Sequence, residues 1–466
     1  MGAYNWVSLR LLAPLVDTVR HTSTVASYDE LQQSQWWPIE RLQELQSRRL
    51  HALVRHCYEY VPFYRSYMRD AGLHPNQFMC AEDLRKLPVL TRSDVRRLAS
   101  ELRSTVVPGR RTLVGRTGGS TGEPLRFITT PYDLRSRGFA RSLRAQGWCG
   151  YRLGDRSVLL VDRREWGSRW RRFAGSLSWK VQRTYRREVY DLSEIHLGEV
   201  CQFIESHHVP YLLGFPSALY LLALHVLSRG GLQQQIKGII VGGEPLYHVQ
   251  REAIRSAFGV VPLSKYSSNE VLDIASQCEQ ANGFHVAVED VVIEVLDETG
   301  VPVPPGTTGR VVVTNLHNYA MPFVRYDLGD IGCLSRASCI CGRGLPLLEN
   351  LEGRRSDILL TPDGRKIPGI VLPWSFLAGL GVQQIQVCQP RVDVVEVRLV
   401  LDSSVGEQSS DSLVSLVRSR YATILGGLVS IEVRVVPAIA ASASGKRAVV
   451  MSDVTKEVGR HGRTPT

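Results

Sequence analysis

The run RTGGSTGEPLRF, Arg116 to Phe127, places Thr117, Gly118, Gly119, Ser120, Thr121 and Gly122 side by side. Residues this small bury nothing. Their backbone N–H groups can converge on a phosphate, with the hydroxyls as further donors. A plain surface turn has the same composition. It is not a nucleotide loop ending in Gly-Lys-Ser/Thr, because Gly122 is followed by Glu123 and Pro124. A second set of chemical residues is Cys278 and His285, seven positions apart, with Cys339 and Cys341. One imidazole and three thiolates make a tetrahedral donor set for structural Zn²⁺, although the spacing is not that of a zinc finger. Reduced cysteines and an exposed histidine read equally from the spacing alone.

The third feature is charge. The chain carries a formal +11, and between Arg135 and Arg187 fourteen Arg and one Lys face only Asp155, Asp162 and Glu165. Such a segment attracts anions. Within it Trp166, Trp170, Phe173, Leu177, Val181 and Tyr185 recur at helical spacing, with Arg169, Arg171, Arg172, Lys180, Arg183, Arg186 and Arg187 mostly elsewhere. The spacing predicts a helix with an aromatic face. That face either packs on the core or lies, across residues 164–187, on an anionic membrane surface. A third reading has the arginines meet an anionic acceptor. No nucleic-acid-binding module is recognisable.

These residues need a scaffold. A chain of 466 residues that is 44% hydrophobic supports more than one domain. No apolar run nears the ~20 residues of a membrane-spanning helix. The start, MGAYNWVSLRLLAPLVDTVR, has its apolar stretch broken by Arg10, Pro14 and Asp17, so no signal peptide is expected. Nine cysteines, an odd number, suit a reducing cytoplasm better than a disulfide scaffold. Residues 28–105 read as helical, with Thr91 or Ser93 capping a late helix. Strands are expected at 157–161, 211–215, 236–244, 291–297 and 309–316, with a helix from Ser217. After 351–359 the pattern changes to strand, helix and strand at 392–402, 409–425 and 429–436. The expected class is α/β: a large mixed α/β N-terminal domain, 1–356, and a small mobile α+β C-terminal domain, 357–466.

Five ordered motifs carry a resemblance. RTGGSTGEPLRF, YSSNE (266–270), RYDLGDIG (325–332), EGRRSDIL (352–359) and SGKRAVV (444–450) resemble the phosphate loop, Tyr-x-x-Ser/Thr-Glu element, Asp element, hinge and lysine segment of adenylate-forming enzymes. The N-terminal RLHALVRHCYEYVPFYRSYMRDAGL and EDLRKLPVLTRSDVRR are similar to the phenylacetate–CoA ligase family, and the whole to its CapK-like branch.

The resemblance implies ATP-dependent activation of a carboxylic acid to an acyl-adenylate, then transfer to coenzyme A; the implied cofactors are ATP/AMP, Mg²⁺ and coenzyme A. It assigns Thr117–Gly122 to the β and γ phosphates, Glu270 to Mg²⁺, and Lys446 to the α-phosphate. Tyr266 would stack on adenine, with Ser267, Ser268 and Asn269 beside it and Gly242, Gly243, Glu244 and Pro245 along its edge. Asp330 would accept the ribose hydroxyls, with Arg354 near them. Asn269 departs from the family's Ser or Thr. The family also often has Cys and His at 278, 285, 339 and 341, which favours the zinc reading, with Cys333 a weaker ligand. Phe215 and Tyr220 suggest an apolar or aromatic acid. An amine or hydroxyl acceptor in polysaccharide or secondary-metabolite synthesis, and a decayed anion- or membrane-binding protein, are the other readings.

Overall fold

The computed structural model describes residues 2–109, 112–116, 125–160, 182–187, 194–354, 358–368, 377, 380–402, 405–425, 427–440 and 448–454. The chain opens with helices. Ala3–Val7, a π-helical turn Ser8–Leu12 and Ala13–Arg20 run into Thr24–Ser34, Ile39–Tyr60 and Pro62–Asp70. In Ile39–Tyr60 the residues Leu42, Gln46, Leu50, Leu53, Val54 and Cys57 fall on one buried face, the i, i+3/i+4 pattern of an amphipathic helix. EDLRK forms the 3₁₀ turn Ala81–Lys86 rather than an α-helix. Arg92–Arg97 follows with Thr91 as its N-cap, its hydroxyl accepting from Asp94 N while the Asp94 carboxylate accepts from Thr91 N.

Strands β1 Leu113–Arg116 and β2 Arg126–Thr129 pair antiparallel. Next come β3 Ser157–Leu160, β4 Thr184–Arg187, β5 Tyr211–Gly214, β6 Gly238–Gly242, β7 Leu263–Ser268, β8 Leu272–Ser276 and β9 Phe284–Val286. They are followed by β10 Val291–Leu296, β11 Gly309–Asn315, β12 Tyr326–Leu334 and β13 Leu347–Arg354. Among the described residues these eleven form one sheet in the order β10-β11-β12-β13-β9-β8-β7-β6-β5-β3-β4. From β4 to β7 it is parallel; from β7 to β10 it is antiparallel. The parallel half is buried on both faces, which is why YLLG and GIIVG read as unbroken apolar runs. Helices Glu194–Ser206 and Pro216–Ser228 pack on it through Leu197, Val200, Ile204, Leu219, Leu222 and Val226.

The C-terminal part has its own layer. β14 Ile358–Leu360 pairs with β15 Lys366–Pro368. β16 Val382–Arg391, β17 Val394–Leu401, β18 Ser430–Val435 and β19 Val450–Ser452 form a sheet in the order β18-β17-β16-β19. Helix Glu407–Leu425 covers it through Leu413, Val417, Tyr421 and Leu425, and Tyr247 of the large part enters the same core. β16 and β19 lie outside the strand pattern expected from the sequence.

Two expectations about the basic segment change. Thr184–Arg187 is a strand parallel to β3, not the end of a helix, and Tyr185 packs against Phe203 and His207. The residues before it, 161–181, lie outside the described residues. Three of the arginines also face inward. On and beside helix Gly138–Trp148, Arg137, Arg141 and Arg144 are buried. Arg144 Nη1 is 2.6 Å from Glu289, Arg137 pairs with Asp290 and lies 2.9 Å from Glu30, and Arg141 Nε is 3.6 Å from Asp290. Two adjacent carboxylates, both solvent-free, require counterions. Three of the fifteen positive charges in the segment are therefore structural.

Candidate functional site

The C-terminal ends of parallel strands in an open α/β sheet form ligand clefts, and several residues singled out above lie at such ends. Gly242 closes β6; Gly243 takes φ +83° and turns the chain into Glu244 and Pro245. The Glu244 carboxylate accepts from Ser217 N at 3.1 Å, so it caps the start of helix Pro216–Ser228. Tyr266, Ser267 and Ser268 end the neighbouring strand β7. Beyond them Ser268 Oγ accepts from Val271 N at 3.1 Å, closing the turn that carries Asn269, exposed, and Glu270, buried.

Two tyrosine–carboxylate contacts join this turn to β12. Tyr266 donates its hydroxyl to Asp330 Oδ2 at 2.7 Å, and Tyr326 donates to Glu270 Oε1 at 3.2 Å. Burial first, and then the Glu270 carboxylate, push the Tyr326 phenol well above its ordinary value, so it stays a donor. Asp330 is half-buried and lies opposite Arg354 of β13. Sequence reasoning does not single out Tyr326; its signal is a phenol inside the RYDLGDIG stretch.

The surrounding elements explain the placement. Leu90 N donates to Arg325 O and Asp327 N donates to Leu90 O, so the KLPVL segment fixes the start of β12. Arg325, at φ +52°, donates to Leu87 O and pairs with Glu294 at 2.8 Å. Under the Glu270 turn, Arg141 Nη2 donates to Val271 O at 2.7 Å and Lys265 bridges Ser142 and Asp273. Leu272 holds φ +61° over Gly138, where an added Cβ would meet its Cδ1 at 2.0 Å.

Other assignments fall elsewhere. β1 and β2 pair with Arg116 opposite Arg126. Thr117, Gly118, Gly119, Ser120, Thr121 and Gly122, and Lys446, lie outside the described residues, as do residues 355–357 of the expected hinge. Ser217, Tyr220 and Leu221 line a cleft with Val249, Ile385 and Val449, whereas Leu219, Leu222 and Val226 of the same helix face the core.

The cysteines and histidine converge. Cys278, His285, Cys339 and Cys341 present ligand atoms all within 4.8 Å of one another. Cys278 and Cys339 sulfurs are 3.7 Å apart, and Cys341 Sγ is 3.3 Å from His285 Nε2. Zn–S bonds of ~2.3 Å in a tetrahedron put sulfurs about 3.8 Å apart, so the donor set fits zinc. All the cysteines are free thiols. His285 Nδ1 is 3.3 Å from Leu345 O, which as an N–H donor leaves Nε2 toward the thiols. Burial lowers the imidazole pKa to about 4, keeping it neutral. Cys333 instead donates to Leu334 O. The loop is stitched to the N-terminal helices: Gly344 N donates to Gln35 O, Arg343 Nε donates to Gln35 Oε1, and a Cβ at Gly344 would meet Trp37 O at 1.8 Å.

No protein-family model matches the chain. It is 29% identical over 332 residues to a phenylacetate-coenzyme A ligase of Thermus thermophilus, covering 69% of this chain and 72% of that protein. The phenylacetate-coenzyme A ligase of Escherichia coli is 26% identical, over 69% and 73% of the two chains. Protein CapK of Staphylococcus aureus is 20% identical over 62% of each. Among solved structures, 2-hydroxyisobutyryl-CoA ligase in its postadenylation state superimposes with a TM-score of 0.73 at 21% identity, covering 92% of this chain and 93% of that one. In its thioesterification state that enzyme scores 0.59 at 22% identity over the same shares. The chain is thus a relative of the phenylacetate-coenzyme A ligases and of CapK, built on the fold of adenylate-forming enzymes.

Proposed function

We propose that the protein is an AMP-forming acid–thiol ligase. A carboxylate attacks the α-phosphorus of ATP, the bond to the β-phosphate oxygen breaks, and acyl-adenylate and pyrophosphate form. The thiol of coenzyme A then attacks the acyl carbon; AMP leaves and a thioester remains. The observation that carries the reading is the pair of contacts Tyr266–Asp330 and Tyr326–Glu270, which joins the end of β7 and the turn beyond it to β12 around acceptor groups suited to a ribose and a divalent cation. The names of the two phenylacetate-coenzyme A ligases above support the same chemistry.

In this reading Asp330 receives the ribose hydroxyls with Arg354 nearby, and Tyr266 lies against adenine beside Gly242–Pro245, Ser267, Ser268 and Asn269. Glu270 holds Mg²⁺, a hard cation that suits carboxylate oxygen and neutralises charge developing on the phosphates. Thr117–Gly122 cradle the phosphates and Lys446 reaches the α-phosphate. The domain boundary lies at 356/357, and rotation about 355–357 exchanges the two half-reactions. The acid is aromatic or apolar, met by Tyr220 and Phe215. Zinc is structural, held by Cys278, His285, Cys339 and Cys341; four protein ligands leave no position for substrate.

The acceptor is tested by incubating the protein with MgATP, a panel of aryl and aliphatic acids, and coenzyme A. Mass spectrometry should find an acyl-CoA. Pyrophosphate release without any thioester would move the acceptor to an amine or hydroxyl. Two further outcomes are expected. Tyr266→Phe removes a hydrogen bond to a carboxylate, worth about 1.5–3 kcal/mol, and should raise KM for ATP at least about tenfold with kcat less affected. The purified protein should contain one zinc per chain by elemental analysis. Cys278→Ser should lose the metal and lower the melting temperature by several degrees, while Cys333→Ser keeps the metal.

A further inference from the structure

A cleft runs between helix Pro216–Ser228, the start of helix His248–Phe258 and strand β16 of the C-terminal part. Its walls are mainly apolar, with Tyr220, Leu221, Val249, Ile385, Ile439 and Val449 among them. Of the described residues that line it, none carries a charge. Two polar atoms interrupt these walls. Ser217 Oγ and Gln384 Oε1 are shut off from solvent, and neither has a hydrogen-bond partner among the described residues. Ser217 as a whole is only 8% exposed. A buried polar atom left unpaired costs about 1–3 kcal/mol, and native structures keep few of them. Two on one cleft, from distant parts of the chain, point to a ligand that pairs them.

The backbone delivers both atoms. Pro216 and Ser217 open their helix, and Ser217 N donates to the Glu244 carboxylate at 3.1 Å, so the cap leaves the Ser217 hydroxyl unused. On the opposite wall the register of β16 against β17 shifts between Val382 and Gln384. Side chains of a regular strand alternate between faces; here Val382, Gln383, Gln384 and Ile385 all reach the cleft. Such shifts re-aim side chains and recur beside functional sites. Gln383 Nε2 donates to Asp402 at 3.0 Å, while Gln384 Oε1 stays unpaired. The cleft also adjoins the proposed ligase site. Glu244 belongs to the turn that ends β6, and Ala448 and Val449 follow Lys446 in the chain.

Size and chemistry narrow the ligand. The cleft offers about 50 Å³ to the centres of water-sized groups, where one water needs about 10–15 Å³. That suits a few heavy atoms, the end of a side group and not a whole nucleotide. An ionised end would enter without a counter-charge. A bare alkyl or aryl end would leave both polar atoms unpaired. A hydroxyl answers both, because it donates to a carbonyl oxygen and accepts from a serine hydroxyl. We propose that Ser217 and Gln384 are specificity-determining residues that receive a hydroxyl on the side group of the acid. The proposal rests on the ligase reading and narrows it to an apolar acid with a hydroxylated end, one wall of whose pocket comes from β16.

The test is exchange of labelled pyrophosphate into ATP by the full chain with matched acids: benzoate against para-hydroxybenzoate, phenylacetate against para-hydroxyphenylacetate, and hexanoate against omega-hydroxyhexanoate. In at least one pair the wild type should favour the hydroxylated acid about tenfold or more in kcat/KM, since its partner leaves buried groups unpaired. Ser217→Ala and Gln384→Leu should each shrink that ratio and together abolish it. Their melting temperatures should equal or exceed that of the wild type, because each removes a polar atom that nothing pairs in the free protein. Exchange with no preference in any pair, or a preference that the double variant keeps, would overturn the proposal and leave the ligase reading in place. A lower melting temperature in both single variants would make the two groups structural and overturn it as well. No exchange with any of these acids would contradict the ligase reading itself, and the proposal would fall with it.

Discussion

Glu270→Gln is expected to lower kcat/KM for acid-dependent pyrophosphate release by about 10²–10³-fold, the scale for removing one preorganised electrostatic partner of a transition state. The fold should be untouched. Gln keeps the volume of Glu and can still accept from the Tyr326 hydroxyl, which lies 3.2 Å from Glu270 Oε1. What it loses is the negative charge that, in the proposed reading, would hold a divalent cation in a buried place. Raising Mg²⁺ should recover part of the rate in the variant, a response that a misfolded protein would not give. Tyr326→Phe should have a smaller effect, because it removes only the group that orients the carboxylate. Initial rates across a Mg²⁺ series with both variants check this; an unchanged Glu270→Gln enzyme would remove Glu270 from the site.

Asp290→Asn is expected to destabilise the fold by about 3–5 kcal/mol, the usual result of taking one partner from a buried ion cluster. Asp290 is fully buried. Burial alone would raise its pKa, but Arg137, His317 and Arg141 outweigh it and hold the carboxyl well below the ordinary range. With the carboxylate replaced by an amide, the two arginines would remain inside with less counter-charge. Arg137 would keep Glu30, and Arg144 would keep Glu289. Urea unfolding of both proteins at neutral pH measures the difference. The depressed pKa also fixes a pH dependence: the carboxylate's contribution is complete above its unfolded pKa of about 3.9 and fades as pH falls toward the folded value. The gap between wild type and variant should therefore narrow in acid.

Much of this architecture is legible in the sequence for identifiable reasons. The buried parallel strands β5 and β6 are unbroken apolar runs, and helix Ile39–Tyr60 repeats at the helical period, so both are read directly. β16 is less visible because glutamines interrupt VQQIQVCQPR and its pattern is settled by pairing with β17 and β19. Tyr185 falls on an apparent helical face, yet pairing with β3 makes 184–187 a strand; tertiary hydrogen bonding overrides a periodic coincidence. The arginines beside helix Gly138–Trp148 could not be told from surface charge, since Glu289 and Asp290 lie some 150 residues away in sequence. The same holds for the metal cluster. The residue types could be named, but only the pairing of β13 with β9 brings His285 beside the Cys339–Cys341 loop. Tyr326 acquires its meaning only once the Glu270 turn reaches β12.

The most direct test of the central claim is acid-dependent exchange of labelled pyrophosphate into ATP, with the acid panel, for wild type and Lys446→Ala. Exchange occurs only if the carboxylate reversibly displaces pyrophosphate, so it reports adenylation without any acceptor. The account predicts exchange that appears with particular aryl or apolar acids, is absent without acid, and falls by at least about a hundredfold in the variant. Exchange that proceeds without acid, or that is equal in wild type and Lys446→Ala, would contradict it.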